Sequence, residues 1–204
     1  MNNKGSGEPL LKRGDRVNDT WTIDAMVGRG GCSQVYGLVE RDSNHCRLVL
    51  KCTALPAYSS KKTSKIKEQR NIANTLYYEW LLCHQHFGHF SFVPPRPLND
   101  YGEDKGCRYF VVKRLDYDLT QLSCRAGGLS LPCISDIGLR ILDGLEALHT
   151  VGYLFVDVSP SNFMVELEGK DKERSFNATT DRLFFIDFGL VEKYTEYMLG
   201  ELAT

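Results

Sequence analysis

From Trp21 to Leu50 the chain reads as short extended runs broken by glycines. WTIDAMV, SQVYGLVE and CRLVLKC carry the β-branched and aromatic residues that suit a pleated, half-buried surface. GRGGC, between the first two, is a glycine turn. From Ile72 to Phe87 the period lengthens to that of a helix, with Leu76, Trp80 and Cys83 on one side and Glu79 beside them. The prolines of FVPPRP stop it. CRYFVVKRL predicts a strongly apolar strand. A second helix is expected over 131–150, with Ser130 as N-cap, Pro132 in the first turn and Gly152 beyond the end. Ile134, Ile137, Ile141, Leu145 and Leu148 recur at spacings of three and four, so that face should be buried. EGKDKERSFNATTD is a polar surface loop, and RLFFIDFGL a buried strand ending in a turn.

Residues 1–15, rich in Gly, Lys and Glu, predict a flexible N-terminal tail. YSSKKTSKIKEQRN reads as a solvated loop or an exposed helix start, with a docking patch as the alternative. Strands with one helix, followed by a helix with short strands and loops, give an α+β chain in two lobes. The division falls into 16–116 and 117–204, with the boundary near Tyr117 to Ser123.

Composition narrows the function classes. At 204 residues and 42% hydrophobic, the chain can build one large domain or two small lobes. Its 25 basic residues stand against 26 acidic ones, so no overall field points to nucleic acid or an anionic membrane. No segment approaches the roughly 20 apolar residues of a membrane helix, and the opening residues lack a signal-like apolar run. Seven cysteines without a CxxC pair read as reduced thiols, which implies the cytoplasm or nucleus. On that reading Asn177-Ala178-Thr179 is an ordinary loop rather than a glycosylation acceptor.

Several residues suit chemistry. Gly28, Gly30 and Gly31 sit where a backbone could fold closely over phosphates, although a plain hairpin turn would also use glycines. The element that follows predicts a strand, so a dinucleotide-binding turn is excluded. Lys51 ends an apolar strand and could pair with phosphate oxygens, with Glu79 as its carboxylate partner. Asp187 follows a buried apolar strand, where a carboxylate is costly unless it meets a cation or donors. Asn162 could be a second oxygen ligand, and Asp157 could accept a proton from an attacking hydroxyl. His84, His86 and His89 could form a metal cluster, and Cys32 could be a reactive thiol; a surface helix end and a small turn residue serve as well.

Glycine loop, strand Lys, helix Glu, Asp-x-x-x-x-Asn and Asp-Phe-Gly follow one another in the order found in protein kinases, and the chain resembles that family from Trp21 to Tyr194. VGRGGCSQVYGLVE, ILDGLEALHTVGYLFVDVSPSN and LFFIDFGLVEKY make it most similar to the casein kinase 1 and vaccinia-related kinase group. The resemblance implies a bilobal fold: an N-lobe over 16–116, with a β-sheet and a helix, and a partial helical C-lobe over 117–204. Gly28, Gly30, Gly31 and Val35 would cover ATP, Lys51 would hold its α- and β-phosphates with Glu79, and Arg114-Leu115 after the strand Tyr109 to Lys113 would take the adenine. Asp157 would be the base, and Asn162 and Asp187 would bind Mg²⁺. The expected activity is Ser/Thr-type transfer of the γ-phosphoryl of ATP to protein hydroxyls, with a protein substrate or regulatory protein as partner and neither nucleic acid nor membrane.

Three departures set up an alternative, a pseudokinase acting as a binding module. Ser33 replaces a third glycine. Phe155-Val156 replaces His-Arg, and Ser159 stands where these enzymes carry a Lys beside the transferred group. Losing that charge would cost about 2.7–4 kcal/mol, or 10²–10³ in rate. The chain also ends at Thr204, before an Ala-Pro-Glu-like segment, which predicts a truncated product with part of its second helix uncovered.

Overall fold

Glycines and left-handed turns cut the first half of the chain into strands that pair with their sequence neighbours. In the computed structural model, residues 8–39, 47–56, 64–97, 100–169 and 176–194 are described. β1 (Arg16–Val17), β2 (Trp21–Arg29), β3 (Gln34–Leu38), β4 (Leu48–Ala54), β5 (Tyr101–Asp104) and β6 (Cys107–Lys113) form one antiparallel sheet in the order β1-β2-β3-β4-β6-β5. The β5–β6 turn has Lys105 at φ 49° and Gly106 at φ 71°, the paired left-handed conformation whose twist matches a hairpin. Gly102 cannot carry a side chain, because a Cβ would lie 2.6 Å from the Tyr109 hydroxyl.

Side chains alternate across β4, so its two faces have different neighbours. Leu50 and Cys52 join Leu11, Val17, Ile23, Tyr36, Tyr109 and Val111 in a buried cluster. The hydrogen bond to Cys107 and burial both push the Cys52 thiol up. Lys51 and Thr53 point the other way, to the face packed by helix α1 (Ser64–Leu82). The helix starts at Ser64, well before the expected Ile72, and passes through a wider π-type turn, Cys83–Phe87. Lys67, Glu68 and Arg70 are tolerated there because straight-chain residues keep their rotamer freedom in a helix.

The remaining elements are β7 (Tyr117–Asp118), α2 (Leu119–Arg125), α3 (Leu131–Thr150), β8 (Tyr153–Leu154), β9 (Phe163–Glu166), β10 (Arg182–Phe185) and β11 (Glu192–Lys193). β10, β9 and β7 make a three-stranded antiparallel sheet, and β11 pairs with β8. A capping box of Asp118 and Gln121 starts α2. For α3 the sequence signals hold: Ser130 accepts the N–H of Cys133 and Gly152 follows at φ 85°. Its inner face begins later than predicted, since Ile137 and Leu148 are buried while Ile134 is 51% exposed. Gly144 meets Phe185 so closely that a Cβ would lie 2.5 Å from the ring.

The chain divides into two units. One runs to His84 and takes in Pro95–Arg114; the other is Gln85–Pro94 with the chain from Leu115 onward. The expected boundary near 117–123 falls inside the second unit, because Tyr117–Asp118 pairs with β9 and Leu122 is buried in α2. Phe87 also belongs there, against Tyr153 and Phe188. The expected tail differs as well: residues 1–7 lie outside the described residues, while Leu11 is 2% exposed and sits in the sheet cluster. The basic stretch at 57–63 also lies outside them. No described helix is long and apolar enough to cross a membrane.

Candidate active site

In the first unit, the glycine loop is the β2–β3 connection. Gly28 faces Val35 across the ladder, and the Gly30 N–H donates to the Ser33 carbonyl at 2.9 Å, closing the tip. A Cβ on Gly31 would meet nothing within 4 Å, and one on Gly30 would meet only Ser33, at 3.6 Å. Protein packing therefore does not demand glycine at the tip. The missing side chains leave room for close approach to backbone N–H groups, as a phosphate needs.

Val35 lies opposite Lys51 on β4. The Lys51 ammonium donates to both oxygens of Glu79, at 2.9 and 2.7 Å, and lies 5.9 Å from the Phe110 ring centroid. These side chains are 14% and 7% exposed, so the attraction acts in a partly dry setting. Burial, and secondarily the Glu79 charge, push the thiol of nearby Cys83 up. At the end of β6, the Lys113 and Arg114 N–H groups donate to the carbonyls of Pro95 and Arg47. Those two amides are thus already paired, and Leu115 begins the second unit.

In the second unit, the polar turn after β8 presents Asp157. The Asn162 carboxamide, 7% exposed, donates through Nδ2 to the Asp157 carbonyl at 3.0 Å and to its carboxylate at 2.8 Å. This aims the Asp157 carboxylate and leaves Asn162 Oδ1 as the carboxamide's oxygen donor. The Ile186 N–H donates to the Asn162 carbonyl at 2.9 Å, which brings Asp187 alongside. Asp187 has φ 62° and ψ 63° before the short turn Phe188–Leu190, a left-handed conformation uncommon outside glycine. Asp187 is exposed, which corrects the expectation that burial makes its carboxylate costly. Its placement is set by this backbone and by the bond that joins Ile186 to Asn162.

Phe155 is 4% exposed, and its ring lies 5.5 Å from Phe188, 5.4 Å from Phe185 and 5.9 Å from Phe163. The turn that follows Asp187 is therefore supported by ring packing where a histidine would add a hydrogen bond. Ser159 pairs with the Ser161 hydroxyl at 2.9 Å. Val156 and Val158 are exposed on either side of Asp157.

The three histidines serve different aromatic neighbours: His84 stacks on Trp80, while His86 lies tilted against Tyr153 and His89 tilted against Phe90. Among the described residues no group of three or more His, Cys, Asp or Glu could hold a metal ion. For Mg²⁺, the hard oxygens of Asn162 and Asp187 are the fitting donor set. Sequence reasoning passed over Thr53, whose hydroxyl donates to the Cys32 carbonyl at 3.0 Å. Its position two residues after Lys51, on the same strand face, was the available signal.

A family model described as the protein kinase domain matches residues 21–199. The chain is 25% identical over 183 residues to the B1 kinase of variola virus, a match covering 88% of this chain and 55% of that protein. It is 26% identical over 183 residues to the B1 kinases of vaccinia virus (strain Copenhagen) and monkeypox virus, covering 88% of this chain and 55% and 54% of theirs. The chain spans about half the length of the curated relatives it matches.

Proposed function

The chain belongs to the protein kinase family, and from that premise we propose that it binds Mg-ATP and transfers the γ-phosphoryl group to serine or threonine hydroxyls of proteins. The observation that carries this reading is the two-oxygen grip of Glu79 on Lys51 beside the open glycine tip. The grip fixes the ammonium before a ligand arrives, so it meets phosphate oxygens with little reorganisation. Gly28, Gly30, Gly31 and Val35 cover the nucleotide, and the chain through Arg114 and Leu115 receives the adenine. Asn162 and Asp187 would hold Mg²⁺, which would supply charge neutralisation for the phosphates. Asp157, aimed by Asn162, accepts the proton of the attacking hydroxyl.

The neutral Ser159 leaves charge compensation to Lys51 and the cation, so turnover is expected to be slow rather than absent. The viral relatives are named kinases, which supports a protein acceptor. Unpaired cysteines favour a reducing compartment, the cytoplasm or nucleus. The test joins a thermal shift with Mg-ATP to phosphate transfer onto casein, for the wild-type chain and Asp157→Asn. Both proteins should shift. Transfer should fall about 10²–10⁴-fold in the variant, the contribution of a positioned general base. A wild-type chain that neither shifts nor transfers would refute the reading, and a shift without transfer would make it a nucleotide-binding module.

A further inference from the structure

The glycine tip borders a solvent-open cleft of about 660 Å³, lined by Leu10, Arg29, Cys32, Thr53 and Ile72 among others. With little apolar cover there, the tip keeps its conformational entropy unless something polar fixes it. Thr53 supplies that contact. It is 3% exposed, and its hydroxyl donates to the carbonyl of Cys32, an exposed residue at the tip. The ladder explains the meeting. Val35 pairs with Lys51 and Gln34 with Cys52, so the chain before Gln34 passes over Thr53. Thr53 also shares the strand face of Lys51.

The far side of the loop is tied independently. Gln34 accepts the Leu10 N–H at 2.9 Å and donates to the Glu8 carbonyl at 3.2 Å, and the Tyr36 hydroxyl accepts the Leu11 N–H at 3.2 Å. Burial pushes the Tyr36 hydroxyl pKa up, so it stays protonated at neutral pH. These bonds fix where the loop leaves the sheet. The Thr53 bond reaches the tip itself and ties it to a neighbouring strand.

We infer that Thr53 is a positioning residue for the nucleotide: its hydroxyl latches the glycine tip to β4, beside Lys51, and so sets the affinity for the phosphates. The inference rests on the reading of the loop as an ATP cover. A valine at this position would keep the volume and the β-branched shape and remove only the hydroxyl. The Cys32 carbonyl, being near solvent, would then find water. The loss should therefore appear as loop freedom more than as instability.

The test uses the full 204-residue chain as wild type, Thr53→Val, Thr53→Ala and Thr53→Ser. Two quantities are measured: hydrogen exchange of the loop peptide over 28–35, and the Kd for Mg-ATP. Losing one neutral hydrogen bond should speed loop exchange and weaken Mg-ATP by about three- to ten-fold each. Exchange in β5 and β6, strands of the same unit, should not change, and serine should restore both loop exchange and affinity. If valine disturbs folding, as the β5 and β6 control would reveal, alanine takes its place in the comparison. Unchanged loop exchange overturns the latch. Faster exchange with unchanged affinity overturns its role in binding. If the wild type binds no Mg-ATP, the nucleotide reading is what fails, and the exchange arm alone still decides whether the latch exists.

Discussion

The two units hold their functional side chains by different physics. In the first, Lys51 is fixed by a charged partner and the glycine loop by individual hydrogen bonds. In the second, the segment leading to Asp187 rests on an aromatic cluster in which Phe155, Phe163, Phe185 and Phe188 meet one another, several edge-on. Charge is directional and fails when one partner is removed. Ring packing is spread over many contacts and fails through cavities. The Asp157 turn follows its unit: Phe155 packs where the kinase pattern has a hydrogen-bonding ring, and Ser159 stands where it has a cation.

The largest expected break is Phe185→Ala. Phe185 is fully buried against Phe92, Phe155 and Phe163, and its loss should cost the second unit about 3–5 kcal/mol, read by urea denaturation. A smaller cost would mean that the cluster collapses onto the gap. Next is Glu79→Ala, which takes both carboxylate oxygens away from the Lys51 ammonium. The loss should be about 2–3 kcal/mol in the first unit, below the range for a fully buried pair because Lys51 keeps 14% exposure. Mg-ATP affinity should fall with it. An unchanged affinity would separate the brace from the nucleotide.

Gly144→Ala probes the aromatic unit by overfilling. A Cβ 2.5 Å from Phe185 must push the ring or the helix, at about 1–3 kcal/mol. The same denaturation curves decide it, and an alanine variant as stable as wild type would show that α3 can move. The smallest effect belongs to the charged unit. Asp104 accepts N–H bonds from Asn18 and Lys105, which hold its carboxyl below the ordinary 3.8. Its contribution is therefore fully present above pH 3.8 and fades as the pH drops through the lower folded value. The stability deficit of Asp104→Asn should shrink below about pH 4; a deficit constant from pH 7 to 3 would remove the carboxylate as its cause.

Much of this was legible in the chain. The β2–β3 glycine turn, the capped helix over 131–150 and the Asp-x-x-x-x-Asn spacing are local patterns, and each appears where the pattern places it, whereas β4 runs on past Lys51 to Ala54. The short strands β1, β5, β7, β8, β9 and β11 were not legible, because two to four residues carry too little periodicity to signal themselves. Leu11 was misread for a related reason. A lone apolar residue in a polar stretch has no pattern, and its burial comes from the sheet it packs against.

Residue type and spacing alone put the glycine turn, Lys51, Glu79, Asp157, Asn162 and Asp187 in order along the chain. They offered Glu79 as a partner for Lys51, with an ordinary surface carboxylate as the alternative. Folding added that Glu79 grips Lys51 with both oxygens, that Asp187 is exposed and left-handed, that Phe155 sits among three other phenylalanines, and that Thr53 ties down the glycine tip. Each of these depends on atoms brought together from distant parts of the chain. Distance, burial and backbone conformation are set by packing, and packing is a property of the folded whole.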